Sequence, residues 1–188
     1  MKKYFAAILL ASALIVPAQA DEISDTIREA LEAYEAENVS GATQSLNYAI
    51  QLINQMNSDR FAQLLPAPLA GWQADEIESE SAGMAMFGGG MQVARSYSGG
   101  SGDIRVEMLG DSPILGQFIG IFANPAMMSA MGKPVRVGGQ NGLEDQDGKL
   151  TFVVANRFLV TIEGGASRDD KLAYANAIDF NALSRFGS

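Results

Sequence analysis

The chain has 188 residues, with 13 Lys and Arg against 22 Asp and Glu, and it contains neither His nor Cys. These counts exclude a Ser-His-Asp triad, a cysteine nucleophile and a zinc site built from thiolates or imidazoles. The net charge of −9 disfavours binding to nucleic acid, because an acidic surface repels the phosphate backbone. The sequence indicates no cofactor.

The first twenty residues have the pattern of a secretory signal peptide. Lys2 and Lys3 precede an apolar run from Phe5 to Val16, and Ala18-Gln19-Ala20 places small residues where signal peptidase accepts them. The apolar run is shorter than the roughly 20 residues that cross a bilayer, which favours cleavage over a membrane anchor. We therefore expect cleavage between Ala20 and Asp21 and a mature chain in the periplasm or outside the cell.

The region after the signal peptide has helical periodicity. Apolar residues recur at spacings of three and four from Ile23 to Tyr34, and a second run of this kind extends from about Ser40 to Asn57. The break between the runs is short, so two antiparallel helices are expected. With Ala42, Leu46 and Ala49 on the second helix, this pair resembles a single unit of a tetratricopeptide repeat. We expect the hairpin to dock either on the body of the protein or on a partner.

Pro66 and Pro68 mark a boundary, since they end the second helical region and the apolar period beyond them changes to two. We expect a helical hairpin over 21–65 and a strand-rich domain over 66–188. Short turns between the strands favour hairpins, and therefore an antiparallel sheet of about six strands. The candidate strands are Gly71–Ala82, Met91–Tyr97, Asp103–Leu109, Val135–Leu143, Leu150–Ala155 and Phe158–Glu163, and a closing helix is expected from about Arg168 to Ala177.

The expected order is three strands, a helix, three strands and a helix. With Asn141-Gly142-Leu143 on a middle strand and a closing helix after Phe158-Leu159-Val160-Thr161-Ile162, this order resembles the Mog1/PsbP-like α+β sandwich. The resemblance implies an antiparallel sheet with covering helices, preceded here by the helical hairpin. It says little about function, because one fold supports many functions.

The segment between Asp111 and Lys133 carries no charge. Three interpretations are open: a helix that covers the sheet, a partly exposed apolar surface that meets lipid or a partner, and a membrane span. Pro125 is expected to split the segment into a helix from about Pro113 to Ala123 and a second turn or helix through Met131.

Methionine and phenylalanine concentrate in two windows. One window borders the triple glycine at 88–90, and the other lies on or just after the uncharged helix. If the windows meet, they form a deformable apolar surface that accepts a hydrophobic ligand or partner, or makes peripheral contact with a membrane. The candidate residues of this Met/Phe surface are Met84, Met86, Phe87, Met91, Phe118, Phe122, Met127, Met128 and Met131.

The sequence therefore favours an exported, non-enzymatic binding or assembly protein that contacts a protein partner, lipid or hydrophobic ligand through the Met/Phe surface. Two alternatives stay open. A Cu(I)-binding protein is one, because thioethers suit Cu(I) and no Cys or His is present. A carboxylate-based hydrolase is the other, since Glu76, Glu78 and Glu80 alternate along the first expected strand and share one face.

Overall fold

The computed structural model describes residues 18–79 and 90–187, with side chains from Asp21 onward. These residues form six helices and one antiparallel sheet of eight strands, which confirms an α+β fold with helices at its N-terminal end. The helices are α1 (Ala18–Glu35), α2 (Val39–Ala62), α3 (Leu115–Phe122), α4 (Pro125–Met131), α5 (Arg168–Ala177) and α6 (Phe180–Ser184). The strands are β1 (Gln73–Ala74), β2 (Glu78–Ser79), β3 (Met91–Gly99), β4 (Gly102–Gly110), β5 (Lys133–Val137), β6 (Gln140–Glu144), β7 (Leu150–Val154) and β8 (Phe158–Glu163).

The chain divides into two compact units, 1–53 and 54–188. The described part of the first unit is a helical hairpin whose seam includes Ile23 near its open end and otherwise consists of small or short side chains. Thr26 and Ala30 of α1 and Ala42 and Ala49 of α2 are all buried. Short side chains allow two helix axes to approach closely, so the hairpin packs without large residues at its centre.

The second unit contains the whole sheet, in the order β1-β3-β4-β8-β7-β6-β5, with β2 also paired to β3. Two expected strands are different in the structure. Over residues 71–79, the described part of the expected Gly71–Ala82 strand, the structure has β1 and β2, which are separated where the Asp75 carbonyl accepts a hydrogen bond from the Arg95 side chain (2.8 Å); residues 80–82 lie outside the described residues. The Val135–Leu143 strand is a β5–β6 hairpin, because Gly138 and Gly139 both have positive φ and form its turn.

One face of the sheet, here called the first face, carries the main core. Val106, Phe152 and Val160 are fully buried there and pack with Tyr174 of α5. The end of α2 belongs to this core as well, since Phe61 is 0% exposed. The second unit therefore includes the last turns of α2, which the sequence assigned to the hairpin.

Two tyrosines attach the segment after α2 to the first face. The Tyr97 hydroxyl donates to the Pro66 carbonyl at 2.6 Å, and the Tyr174 hydroxyl accepts from the Leu69 amide at 3.3 Å. The two rings are in contact, with centroids 4.5 Å apart. Burial raises the pKa of Tyr97 from 10.0 to about 12, because the ionised phenol would lose its hydration.

The first prediction concerns the boundary between the units. A chain that begins at Asn54 should unfold cooperatively, whereas a chain that begins at Pro66 also lacks Phe61 and should be less stable. Loss of a buried Phe side chain costs about 3 to 5 kcal/mol, and thermal unfolding followed by circular dichroism measures the difference. Equal melting temperatures for the two truncated chains would show that the end of α2 does not stabilise the sheet.

The second prediction concerns Tyr97. Replacement of Tyr97 by Phe should cost about 1 kcal/mol near neutral pH through loss of the hydrogen bond to Pro66. As pH rises, the unfolded chain releases the tyrosine proton first, so the stability due to the raised pKa is complete below pH 10 and is lost between pH 10 and about 12. Urea unfolding at several pH values should show this alkaline loss in the wild type and a smaller loss in Tyr97→Phe. Parallel curves would contradict the assignment.

Candidate functional site

The opposite face of the sheet, here called the second face, carries a graded set of side chains. Alternation along the central strands gives rows that run across β4, β8 and β7. The first row is apolar: Leu109 pairs with Leu159, which pairs with Val153. All three side chains are buried, at 7% or 8% exposure, and form a second, smaller core.

The next row is uncharged on two strands and acidic on the third. Glu107 of β4 pairs with Thr161 of β8, which pairs with Thr151 of β7. Thr161 is buried, whereas Glu107 and Thr151 are half-buried. This middle row therefore places one half-buried carboxylate beside two threonines.

The third row is charged. Arg105 of β4 pairs with Glu163 of β8, and the Lys149 ammonium lies 2.9 Å from the Glu163 carboxylate. Arg105 makes a bidentate contact with Glu78, at 2.6 and 3.0 Å. The hydrogen bonds and the charge of Arg105 lower the pKa of Glu78 from its usual value.

Helix α3 covers the apolar row and leaves the other two rows open. Its Leu115 is buried, and Phe118, Ile119 and Phe122 are half-buried against Leu109, Val153 and Leu159. The spacing of three and four between these α3 residues places them on one side of the helix. The first part of the uncharged segment is therefore a helix that covers part of the sheet, as one of the three interpretations expected.

Pro125 begins a separate helix, as the sequence predicted. The Asn124 side chain caps α4 by accepting from the amides of Ala126 and Met127, at 3.0 and 3.4 Å. No side chain of α4 is buried. Because α4 packs so little of its surface, the chain after α3 presents an exposed apolar edge.

Two neighbouring pockets on the second face share Lys149 in their lining, and we call the two together the open-face groove. Its apolar end has a volume of about 280 Å³ and lies between Ile114 and Phe118 on one side and the sheet on the other. Its polar end has a volume of about 470 Å³, and Lys149 lines both parts. The remaining lining residues are Gln92, Glu107, Leu109, Thr151, Leu159 and Thr161 at the apolar end, and Ser96, Asp103, Arg105, Asp145, Asp147, Glu163 and Gly164 at the polar end.

The charges of the open-face groove do not balance. Both of its basic residues are engaged, Arg105 by Glu78 and Lys149 by Glu163. Among the residues that the structure describes, the other four acids of the groove make no ion pair; they are Asp103, Glu107, Asp145 and Asp147. The groove is therefore apolar at one end and carries excess negative charge along the rest.

The residues of the predicted Met/Phe surface are found in different places. Phe118 and Phe122 pack on the second face, whereas Met91 packs against the core of the first face. Met127 and Met131 are each 48% exposed on α4, and Met128 is half-buried. Met84, Met86 and Phe87 lie outside the described residues. Within residues 18–79 and 90–187, the predicted surface thus does not form one continuous patch.

The structure gives no acidic metal site and no catalytic carboxylate pair in residues 18–79 and 90–187; it does not test Cu(I) binding by methionine sulfur. No group of three or more acidic side chains in these ranges could hold a metal ion. Glu78 is held ionised by Arg105, which makes it a poor proton donor, and Glu80 lies outside the described residues. No described helix combines the length and the apolar character that a membrane span requires.

Sequence reasoning missed the polar residues of the groove. The fold of the sheet brings together four residues that lie far apart in sequence, by as many as 54 positions: Glu107, Lys149, Thr151 and Thr161. A local signal was present in β8, where Thr161 and Glu163 alternate with buried Val160 and Ile162. That alternation marks a sheet face that is not fully apolar.

Comparison with known proteins gives no relative. No family model, no curated protein and no solved structure matches this chain. A function for this chain is therefore argued from the geometry of the described residues.

Proposed function

We propose that this protein is an exported, non-enzymatic binding protein whose ligand occupies the open-face groove. The observation that carries the proposal is the incomplete cover of the second face by α3. Leu109 and Leu159 meet the groove as an apolar floor, and Ile114 and Phe118 form its wall. A site of this shape, with an apolar body and a few polar groups, is the usual form of a small-ligand pocket.

The apolar end favours a ligand with a hydrocarbon portion. Ile114 remains 38% exposed, and Phe118 is only half-buried in the free protein. Covering this surface removes it from water and contributes roughly 25 cal/mol for each Å² of apolar area. An alkyl chain or an apolar peptide side chain would therefore bury the apolar surface of the second face that α3 leaves exposed.

The polar end favours a cationic group on the same ligand. Glu107 lies between the apolar row and the charged row and makes no ion pair, since Arg105 and Lys149 each contact another acid; Arg105 compensates its charge only over a longer distance. A positively charged ligand group gains Coulomb energy there, whereas an anionic headgroup would meet like charges. The proposed ligand is amphipathic, apolar at one end and cationic at the other.

Export rests on the signal-peptide pattern of residues 1–20. The described helix α1 begins at Ala18, so the proposed cut after Ala20 falls in its first turn. We also propose a Mog1/PsbP-like fold for the second unit. Its support is the order of strands β1 to β4, helices α3 and α4, strands β5 to β8, and helix α5.

The third prediction tests the groove with decyltrimethylammonium, which has an alkyl chain and a fixed positive charge. Calorimetry below the micellar concentration should show binding, and decyl sulfate should bind at least about tenfold more weakly because its charge is reversed. Substitution Ile114→Ser should weaken binding of the cation with little loss of stability, since Ile114 is partly exposed. Glu107→Gln should reduce the preference for the cation over the sulfate.

The matched control for this test is Met131→Ser, which removes a similar apolar side chain from α4. We expect it to leave binding of decyltrimethylammonium unchanged. If Met131→Ser weakens binding and Ile114→Ser does not, the contact surface is the Met-rich edge of α4 and the groove assignment is wrong. Equal affinity for the cation and the sulfate would contradict the proposed role of the acids.

The fourth prediction concerns export. Expression in a bacterial host should place the protein in the periplasmic fraction or the medium, with Asp21 as its first residue. Intact-mass spectrometry of the fractionated protein measures this directly. A product in these fractions that retains Met1 would overturn the proposed cleavage.

A further inference from the structure

The helical hairpin carries most of the exposed large hydrophobic side chains of the described residues. Eleven large hydrophobic side chains are exposed in residues 18–79 and 90–187. Seven of them lie in the hairpin, from position 27 to position 50. Six of these seven form what we call the hairpin face: Ile27 (46% exposed), Leu31 (55%), Tyr34 (64%), Val39 (63%), Leu46 (48%) and Ile50 (54%). Contiguous apolar surface of this kind marks an interaction site.

Helical geometry places these six residues on one side of the hairpin. Ile27 directly follows the seam residue Thr26, just as Ile50 directly follows the seam residue Ala49. Each is therefore rotated by about 100° from the seam in the same sense. Because the helices are antiparallel, this common rotation brings both apolar stripes to the same side.

The opposite side of the hairpin supplies an independent check. Glu22 and Tyr48 directly precede the seam residues Ile23 and Ala49, so rotation places them together on the other side. They do meet there: the Tyr48 hydroxyl donates to the Glu22 carboxylate at 2.9 Å. The sides of the hairpin are thus fixed by an observed contact.

The hairpin face is free of charge although the chain is acidic. The acids Asp25, Glu29 and Glu32 of α1 point away from the stripe that contains Leu31, whereas Arg28 and Glu35, three before and four after Leu31, border it. In α2 the sequence from Val39 to Asn57 contains no charged residue. A partner on this face would meet charged side chains only at its border, and an anionic membrane surface would be repelled by the acids of α1.

We propose that the hairpin face binds the hairpin face of a second copy of this chain, so that two hairpins form a four-helix bundle with two-fold symmetry. A two-fold interface places the same patch on both sides, and an uncharged apolar patch is complementary to itself. The pairing directs Asp25, Glu29 and Glu32 of both copies outward, which keeps the like charges apart. This interface does not involve the open-face groove and does not depend on a ligand.

Sedimentation velocity of the full chain over a wide concentration range tests the proposal. The wild type should be a dimer whose dissociation constant rises by at least about tenfold in Leu31→Glu and in Ile50→Glu, since each buries a charge in the paired face. The matched control is Gln51→Glu, which adds the same charge to an exposed position of α2 outside the hairpin face. It should leave the dimer intact, and unchanged far-UV circular dichroism should show that all three variants keep their helices.

A second measurement does not depend on disruption. Because the chain contains no Cys, a single introduced thiol can be linked only between copies. Leu46→Cys should give a covalent dimer with a short bismaleimide, and Gln51→Cys should give little. A wild type that stays monomeric at every concentration would overturn the proposal. A dimer that persists unchanged in Leu31→Glu and Ile50→Glu would also overturn it. Binding of the hairpin face to an added different protein, without any pairing between copies of this chain, would do so as well.

Discussion

Alternation of side chains along β4, β8 and β7 is the constraint on which the second unit depends. On one side these strands present Val106, Val160 and Phe152, which build the main core with α5 and the end of α2. On the other side the same strands present the alternate residues. Along β8 these alternate residues change from apolar Leu159 to polar Thr161 to charged Glu163. A single sheet therefore provides both a core and a graded surface, and the open-face groove is this surface beside α3.

Helix α3 is short, uncharged and packed by one side only, which explains why the cover of the second face is incomplete. Its eight residues span only about 12 Å, given the rise of 1.5 Å per residue. Three apolar strand residues fall beneath it, and the rows that follow carry polar groups that an apolar helix would not satisfy. The groove thus lies where the apolar row of the sheet ends and the polar rows begin.

Much of the fold could be predicted from local sequence patterns. The closing helix at Arg168–Ala177 matches its expected range, and Pro125 separates two helices as expected. The expected strand over 135–143 failed because its two positive-φ glycines, 138 and 139, form a hairpin turn within one apolar run. The count of about six strands fell short for the same reason, and also because the first expected strand is divided in two.

The candidate site could not be predicted to the same extent, because it depends on register. Phe118 and Phe122 were identified from their apolar, uncharged surroundings, and they do pack on the second face. Neither Glu107 in β4 nor Lys149 just before β7 is unusual in its local sequence; each gains its role from the residues that the fold of the sheet places beside it. Patterns along the chain report which side of a strand is apolar, and only the order of the strands reports what lies next to it.

Intermolecular nuclear Overhauser effects between protein methyl groups and the alkyl chain of decyltrimethylammonium test the central claim most directly. If the second face holds an open groove, the methyl groups of Leu109, Leu159 and Ile114 should contact the chain, whereas those of Val106 and Val160 on the first face should not. Contacts confined to Met127 and Met131 of α4, or spread equally over both faces, would contradict this account.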